Sequence, residues 1–311
     1  MKHLFIINPA AGSRNRTETY RKQIAQVCEQ RGIPYSIEIS GAPGQCQKIA
    51  RRAAESGEEY RIYSCGGDGT LNEIVSGVAG YDNVAVTMFA AGSGNDFARI
   101  FSEPDAFRDL ERLLDCEETC FDLIRCNEDY SLNICSIGFD ARIGTDVANY
   151  KRIPLLSGFR AYAASAVINT IRGVSEHYIV DIDGERIDGK FTLICACNGR
   201  FYGGGFNPVP EADPADGKLE VLLVKDVSRL MVAKLIGTYK AGNYKALPKY
   251  IRHIATDRLK IICDAPTPVN LDGELRMAQT VDIRIAKEKI RFFYPKGLTW
   301  QKTAKKEPVN I

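Results

Sequence analysis

Asp68 is the residue whose surroundings point most directly to chemistry, because it lies among three glycines in the run CGGDGTLNE at residues 65–73. Glycines let the backbone turn tightly and approach a bound group, and a helix N-terminus offers N–H donors to an anion. Residues 60–64 predict a buried strand, and apolar residues at helical spacing predict a helix over residues 71–78. The loop is therefore predicted to hold a phosphate group, with Asp68 placed to reach a metal ion on it. A tight turn with Asp68 as a local cap is the alternative.

Strands and helices alternate through the first third of the chain. Strands are predicted at residues 2–8, 35–39, 60–64 and 84–89, and helices at residues 17–31, 45–56 and 71–78. This alternation is typical of a parallel sheet covered on both faces, where ligands bind beyond the carboxyl ends of the strands. Three loops, at residues 8–13, 66–72 and 92–96, each follow a strand. The topology is therefore predicted to gather them at one edge of the sheet.

The pattern changes after about residue 122. Short apolar runs separated by Asp-Gly turns predict strands at residues 121–125, 131–137, 177–182, 190–198, 218–224, 258–263, 267–271, 280–285 and 289–294. Such spacing is typical of an antiparallel β-sandwich. The chain is thus predicted to form an α/β nucleotide-binding domain over residues 1–122 and a mostly antiparallel β-sandwich over residues 123–295, with a cleft between them. The tail, residues 296–311, is predicted to return to the first domain.

Composition excludes several classes of function. The net charge is +2 over 311 residues, so nothing in the charge points to a nucleic-acid partner. No apolar run approaches the 18 or so residues that a membrane span needs, and the N-terminus does not resemble a signal peptide, which predicts a cytoplasmic protein. Ten cysteines without a C-x-x-C pair predict reduced, mostly buried thiols. Three scattered histidines leave little material for histidine-based metal or triad chemistry.

The common nucleotide-binding motifs are absent from the sequence. No G-x-x-x-x-G-K-[ST] run occurs, which excludes a P-loop enzyme, and the first strand is not followed by G-x-G-x-x-G. The remaining interpretation is a phosphate-binding loop that follows neither of these two motifs.

Three constellations in the second half carry polar or flexible residues. Residues 198–206 are dense in glycine and predict either a sharp structural corner or a stretch that lines the substrate. Asp213 and Asp216 lie three apart in a turn and could bind a hard cation through oxygen atoms. Asp272 and Glu274 flank a glycine at a strand end, where a carboxylate could act as a general base or form a plain hairpin turn.

Together these stretches resemble the diacylglycerol kinase catalytic family, which includes sphingosine kinases and bacterial lipid kinases. The matching runs occur in the family's order and cover nearly the whole chain. They are residues 8–12 (NPAAG), 66–73 (GGDGTLNE), 92–99 (GSGNDFAR), 138–141 (GFDA), 203–205 (GGG), 216–217 (DG) and 272–274 (DGE). Two positions depart from the family's usual residues: Ser93 replaces a threonine and Phe206 replaces a methionine.

The resemblance implies a fold similar to NAD kinases and diacylglycerol kinases, with ATP in the interdomain cleft. The residues that would contact the nucleotide are Asn8, Ala10, Ala11, Gly12, Ser13, Ser40, Gly66, Gly67, Asp68, Gly69, Thr70, Leu71, Asn72 and Ser93. Asp68 would organise the catalytic Mg²⁺ together with Asp96 and Asp122. A metal is needed because phosphoryl transfer builds up charge on the phosphate oxygens.

The resemblance also implies the remaining site residues. Asp272 or Glu274 would accept the proton of the lipid hydroxyl, with Glu274 favoured. A separate structural Mg²⁺ would be bound by Asp216 and by the backbone carbonyls of Asp213 and Lys218, because a lysine side chain does not bind a cation.

The leading hypothesis is an ATP-dependent kinase of diacylglycerol or a related lipid alcohol, in peripheral contact with the inner face of the membrane. Two basic stretches could make that contact: Lys151 and Arg152 with Leu155, Leu156 and Phe159, or the region of residues 239–258. Solvated helix faces are the simpler interpretation of both. A kinase of a soluble acceptor such as NAD and a non-enzymatic nucleotide-binding regulator remain alternatives. The oligomeric state is open, with a homodimer as one possible assembly.

Overall fold

The computed structural model describes residues 1–12, 15–90, 94–143 and 174–300, with Ala233 described by its backbone alone. The chain divides into two compact units. The first unit comprises Met1–Leu123, Phe201–Gly205 and the segment that begins at Lys287; the second unit comprises Ile124–Arg200 and Phe206–Ala286. Ser13 and Ser93, both predicted to contact the nucleotide, lie outside the described residues, as do the basic stretch that begins at Lys151 and the tail from residue 301.

The described part of the chain contains the following strands and helices. The strands are β1 (Lys2–Ile7), β2 (Tyr35–Ile39), β3 (Tyr60–Cys65), β4 (Val84–Met88), β5 (Cys116–Cys126), β6 (Asp129–Ser131), β7 (Ile134–Gly138), β8 (Glu176–Ile182), β9 (Glu185–Cys197), β10 (Leu219–Lys225), β11 (Ile251–Thr256), β12 (Arg258–Leu271) and β13 (Glu274–Pro295). The helices are α1 (Thr17–Gln30), α2 (Gln45–Glu55), α3 (Asp68–Val78), α4 (Leu110–Leu114) and α5 (Arg229–Lys240).

The first unit is built on a sheet whose strands run parallel. β1 pairs in parallel with β2 and β3, and β3 pairs in parallel with β4. The last strand of the chain, β13, adds to β4 through Arg291 and Phe292. The strand–helix alternation of the sequence predicts this arrangement, since parallel neighbours need a crossover connection. A stack of buried rings fills the core, where the Phe5 and Tyr63 ring centroids are 4.2 Å apart and Phe293 meets Tyr63 edge-on.

Helices α2 and α3 pack closely because the contact contains a glycine and a capping acid. A Cβ atom on Gly77 would lie 2.5 Å from the carbonyl oxygen of Gln47, so only glycine fits there. The carboxylate of Glu73 accepts hydrogen bonds from the N–H groups of Gly44 (2.9 Å) and Cys46 (3.1 Å) at the start of α2. An acid beside the N-terminus of a helix satisfies donors that lack an intrahelical partner. Glu73 therefore fixes α2 against α3.

The second unit is antiparallel in every strand pairing that the structure describes there. β9 pairs with β7, β8 and β10, and β12 pairs with β7, β8 and β13. Residues from these strands, among them Tyr178, Ile194 and Val221, form one buried apolar cluster. Two tight hairpins, at Asp183-Gly184 and Asp272-Gly273, have positive φ at both residues, which is the conformation that such two-residue turns need.

Several predicted boundaries need correction. The predicted runs 258–263 and 267–271 form the single strand β12, whose register shifts between Ile262 and Thr267. The runs 280–285 and 289–294 likewise form one strand, β13. The second domain is also not continuous over residues 123–295, because Phe201–Gly205 and the segment from Lys287 belong to the first unit. Helices α4 and α5 and strand β11 were not predicted. The sequence also predicts helical stretches within residues 150–174, and all of these residues except Val174 lie outside the described ones.

Two further observations concern the whole described chain. No helix in the described ranges is both long and apolar enough to cross a membrane. All ten cysteines are free thiols, and eight of them are buried.

His3 is predicted to make the first unit sensitive to acid. The imidazole is buried on β1 beside the hydroxyl of Tyr63, at 2.9 Å. Burial, followed by the positive charges of Arg61 and the chain terminus, lowers the pKa of His3 from 6.5 to about 4. Between those two values only the unfolded chain binds the proton, so stability is full above pH 6.5 and falls as the pH decreases toward 4. We expect this residue to cost about 2 kcal/mol of unfolding free energy between pH 7 and pH 5.

Urea unfolding at pH 7 and pH 5 measures this dependence. His3→Gln should remove most of the difference, whereas His177→Gln should keep it, because the carboxylates of Asp188 and Asp264 raise the pKa of the His177 side chain and give the opposite sign. An equal loss of stability in wild type and His3→Gln would contradict the assignment.

Candidate active site

The glycine-rich loop leads directly into the N-terminus of α3. The helix begins at Asp68, three residues earlier than the spacing of apolar residues predicts, with Gly67 in an extended conformation before it. The N–H of Leu71 makes the first backbone bond of the helix, to the oxygen of Gly67 at 3.1 Å. The N–H groups of Gly69 and Thr70 precede that bond and lie at the open end of the helix, where an anion is favoured. The side chain of Leu71 is buried in the core, so only its backbone could meet a ligand.

Asn8 fastens the first loop to this helix end. Its amide nitrogen donates to Oγ1 of Thr70 at 3.0 Å, and its amide oxygen accepts from the N–H of Ala10 at 3.0 Å. A Cβ on Gly66 would lie 2.2 Å from the same Thr70 oxygen, so glycine is required for this approach. The structure therefore brings the predicted residues of two loops together.

The other predicted nucleotide contacts lie in the same unit. Ala10, Ala11 and Gly12 continue from Asn8, with Gly12 in a left-handed conformation. Ser40 is buried after β2, where its N–H donates to the oxygen of Ile7 at 2.9 Å. Asn72 is buried in the first turns of α3.

Asp68 and Asp96 form a pair of neighbouring carboxylates. Oδ1 of Asp68 accepts a hydrogen bond from the backbone N–H of Asp96 at 2.6 Å. A Cβ on Gly94 would lie 2.5 Å from Oδ2 of Asp68 and 3.6 Å from Oδ2 of Asp96, so both side chains crowd against this glycine. Asp96 is 5% exposed. Asp68 in the first glycine loop thus holds the second glycine loop against the first.

Asp96 in turn holds the triple glycine at residues 203–205. Its Oδ2 accepts the N–H of Gly204 at 2.8 Å, and Arg99 lies 3.3 Å from its Oδ1. All three glycines have positive φ, a conformation that side chains disfavour. The sequence left this stretch open between a structural corner and a substrate-lining segment. The contact with Asp96 favours the structural role.

Asp122, the third acid predicted for the catalytic metal, has a basic partner. Its buried carboxylate forms an ion pair with Nζ of Lys289 at 2.7 Å. The hydrogen bond that Lys289 donates to this carboxylate raises the pKa of Lys289 above its ordinary value. The charge of Asp122 is therefore balanced by a lysine. Its use at the catalytic metal stays a prediction.

The pair of Asp68 and Asp96 suits a magnesium ion. Mg²⁺ is bound in kinases by one or two carboxylates, with phosphate and water completing its ligands, rather than by an all-protein cage. The described residues contain no group of three or more His, Cys, Asp or Glu side chains arranged to hold a metal ion. The two carboxylates are hard oxygen donors beside a helix end that favours an anion, so they fit a Mg²⁺ ion that is bound to a phosphate.

In the second unit, the two candidate bases, Asp272 and Glu274, have different surroundings. The carboxylate of Asp272 accepts backbone N–H groups from Leu132 (2.7 Å), Asn133 (3.1 Å) and Ile134 (2.8 Å). Asp272 is also the first residue of the hairpin turn, at φ 51°. Its oxygens hold the backbone at residues 132–134 in place, and its role as a base stays a prediction. The Glu274 side chain is 42% exposed, with Arg276 at 4.0 Å.

The predicted structural metal site is a compact turn before β10. Oδ1 of Asp216 accepts the N–H of Lys218 at 3.0 Å, and the N–H of Asp216 donates to the carbonyl oxygen of Asp213 at 3.3 Å. Oδ1 of Asp213 accepts the N–H of Ala215. The turn places one carboxylate and two carbonyl groups within a few residues, and the metal assignment stays a prediction.

Comparisons with known proteins show the family to which the chain belongs. Residues 2–126 match the family described as the diacylglycerol kinase catalytic domain, and residues 133–294 match the family described as the YegS C-terminal NAD kinase beta sandwich-like domain. The chain belongs to the diacylglycerol kinase catalytic family.

Relatives and solved structures of this family resemble the chain along most of its length. A Staphylococcus carnosus protein named "Putative lipid kinase" is 26% identical over 281 residues, covering 88% of this chain and 89% of that protein. A Staphylococcus aureus strain JH9 protein of similar name is 24% identical over 264 residues, covering 84% and 86%. A Bacillus anthracis crystal structure titled as diacylglycerol kinases has 19% identity and a TM-score of 0.67, covering 94% of this chain and 96% of its own. That likeness shows the shared fold.

Two structural supports were missed by sequence reasoning. Glu73 is the last residue of the glycine motif, and the structure shows that it caps α2. Arg99 ended the second motif without an assigned role, and its Nε donates to the carbonyl of Gly94 at 3.2 Å. Acids alternate with glycines near both Glu73 and Arg99, and this pattern could have suggested hydrogen bonds between loops. It could not show which backbone groups take part in those bonds.

Gly94→Ala should weaken Mg²⁺-ATP binding without unfolding the protein. The new methyl group would lie 2.5 Å from Oδ2 of Asp68 and must push that carboxylate away from Asp96. We expect the Kd for Mg²⁺-ATP, measured by isothermal titration calorimetry, to rise about tenfold or more. Gly189→Ala is the control, since the nearest atom to its Cβ is a Phe191 ring carbon at 3.9 Å. An unchanged Kd in Gly94→Ala would show that the carboxylate pair does not serve the nucleotide.

Proposed function

We propose that this protein is an ATP-dependent lipid kinase that transfers the γ-phosphoryl group of ATP to the hydroxyl of diacylglycerol or a related lipid alcohol. The observation that carries the proposal is the Asp68–Asp96 carboxylate pair at the open end of α3. Membership of the diacylglycerol kinase catalytic family supports a phosphotransferase. The lipid acceptor rests on the names of the relatives.

The first unit is proposed to bind the phosphates. Backbone N–H groups at the start of α3 and in the loop after Asn8 are the donors, and the glycines let the backbone approach the oxygens closely. Because Asn8 and Thr70 are hydrogen-bonded to each other, the two loops are ordered before the nucleotide arrives. Such preorganisation lowers the entropy lost on binding.

Mg²⁺, when bound, would neutralise charge that develops on the transferred phosphoryl group. Asp68 and Asp96 are the residues proposed to hold it. Asp122, paired with Lys289, is not needed for a two-carboxylate site.

Glu274 is proposed as the general base. In the reaction, the lipid hydroxyl gives its proton to the Glu274 carboxylate as its oxygen forms a bond to the γ-phosphorus. The bond from that phosphorus to the β–γ bridging oxygen breaks, and ADP leaves. Glu274 is preferred to Asp272 because Asp272 already accepts three backbone N–H groups, whereas Glu274 is half exposed and meets only an arginine at 4.0 Å among the contacts described.

The proposal includes a cytoplasmic location with peripheral contact to the inner face of the membrane, where a lipid alcohol would be met. The predicted contact at residues 239–258 is weakened by the structure. Lys245 pairs with Glu211, Arg252 with Glu185, and Arg258 with Asp282. Most of its positive charge is therefore already balanced.

Transfer of radiolabelled γ-phosphate to a panel of mixed-micelle lipid alcohols tests the proposal. NAD is included as a soluble acceptor. Wild type should label one lipid class in the presence of Mg²⁺. Glu274→Gln should lower kcat by about a hundredfold or more, as expected for loss of a general base, with an unchanged melting temperature. Asp272→Asn should instead lower the unfolding free energy by about 2 kcal/mol, because one amide oxygen replaces a carboxylate that accepts three N–H groups.

The outcomes separate the alternatives. Label on NAD alone would replace the lipid kinase with a soluble-acceptor kinase. ATP binding without transfer to any acceptor would indicate a nucleotide-binding regulator. A large kcat loss in Asp272→Asn at unchanged stability, with Glu274→Gln fully active, would reverse the assignment of the base.

A further inference from the structure

Helix α5 in the second unit is held in a fixed rotation about its axis. Its start is capped by Ser228, whose hydroxyl accepts the N–H of Met231. On the inner side, Val232 packs against the buried residues Phe139, Ile143 and Val174, and Tyr239 is buried beside Phe206, with ring centroids 6.5 Å apart. The opposite side of the helix is consequently set toward solvent.

The outer face of α5 combines aliphatic and basic side chains. Its exposed positions are Arg229, Leu230, Lys234, Ile236, Gly237 and Lys240. At about 100° per residue these positions fall on one side of the helix. Leu230 is 80% exposed, the highest value among the large hydrophobic residues that the structure describes, and Ile236 is 47% exposed. The helix contains no acidic residue.

Several charged residues lie on or next to the outer face of α5. Leu230 and Arg229 border an open depression of about 460 Å³ whose other lining residues are Val174, Ser175, Lys190, Asp226, Val227 and Ser228. The lining residues of this depression thus include one acid, Asp226, and one further basic residue, Lys190. Lys240 rests over the ring of Phe206 at 5.2 Å. No ion pair among the described residues involves Lys234, unlike the basic residues farther along at Lys245, Arg252 and Arg258.

We propose that the outer face of α5 is the surface through which this protein docks onto a membrane with anionic headgroups. A helix with aliphatic residues among basic ones lies in the plane of the interface, with its apolar side chains at the boundary between headgroups and acyl chains. Lys234 then meets the negative surface potential. A protein partner fits less well, because protein interfaces favour aromatic residues and deplete lysine. The inference rests on the proposed lipid substrate for its biological sense, but the docking is measured independently of catalysis.

Co-sedimentation of the full chain with lipid vesicles tests the surface. Wild type should pellet with phosphatidylcholine vesicles that contain phosphatidylglycerol and much less with phosphatidylcholine alone. One basic residue near an anionic surface is worth about fivefold in partitioning, so Lys234→Glu should weaken binding by about twentyfold. Leu230→Glu should weaken it by at least as much, since it removes an inserting side chain and adds an acid.

Two matched controls lie elsewhere in the second unit. Met277→Glu changes an apolar residue that is 62% exposed, and Lys260→Glu reverses an exposed lysine on β12. Both should bind vesicles like wild type. Melting temperatures of all four variants should match wild type, which excludes unfolding as the cause. Equal vesicle binding by wild type, Leu230→Glu and Lys234→Glu would overturn the proposal, as would equal loss in the controls.

Activity on a short-chain lipid alcohol dissolved below its micelle concentration separates docking from catalysis. The α5 variants should keep wild-type transfer to this soluble lipid and lose transfer to the same headgroup in anionic vesicles. Vesicle binding that depends on α5 without transfer to any lipid would keep the docking surface and refute the lipid kinase. Transfer to vesicle lipid that is undiminished in both variants would refute the docking surface and keep the kinase.

Discussion

A short chain of hydrogen bonds, donated by backbone N–H groups to carboxylates, is the constraint on which the candidate site depends. Asp68 accepts the N–H of Asp96, and Asp96 accepts the N–H of Gly204. Through these two bonds the first glycine loop positions the second, and the second positions the triple glycine more than 100 residues later in the chain. Hydrogen bonds to a charged acceptor are about twice as strong as neutral ones, and a buried carboxylate left without them is costly. Asp68 and Asp96 thus hold in place the loops in which they are also proposed to bind a metal ion.

Hydrogen bonds from backbone N–H groups also explain why acids in similar sequence settings have different surroundings. Glu73 and Asp272 each accept backbone N–H groups, at the start of α2 and at Leu132–Ile134 respectively, and these contacts occupy their oxygens. Glu274 makes no such set of backbone bonds in the contacts described, and its half-exposed carboxylate is the one that we propose accepts the proton. A motif of the type Asp-Gly-Glu therefore contains one residue that fixes the backbone and one that is proposed to react.

Local periodicity predicted β1 to β4 and α1 to α3 to within a few residues, since all of these elements except the half-exposed β2 bury a regular apolar pattern. The start of α3 was missed because Gly69 is a weak helix former, and only the loop contacts hold the first turn at Asp68. Helix α5 was missed because apolar residues occur all around it, with no clear polar face. The return of Phe201–Gly205 to the first unit depends on the bond between Gly204 and Asp96, which no local pattern encodes. For the same reason the sequence could not separate Asp272 from Glu274, whose roles depend on N–H groups at residues 132–134.

Locating a bound metal is the most direct test of the account. A crystal structure with Mn²⁺ in place of Mg²⁺ and a non-hydrolysable ATP analogue would show the metal by its anomalous scattering. The account predicts Mn²⁺ beside the carboxylates of Asp68 and Asp96, with the analogue's phosphates against Gly66–Thr70 at the start of α3. Phosphates bound away from α3, with Mn²⁺ only at the turn of Asp213 and Asp216, would contradict it.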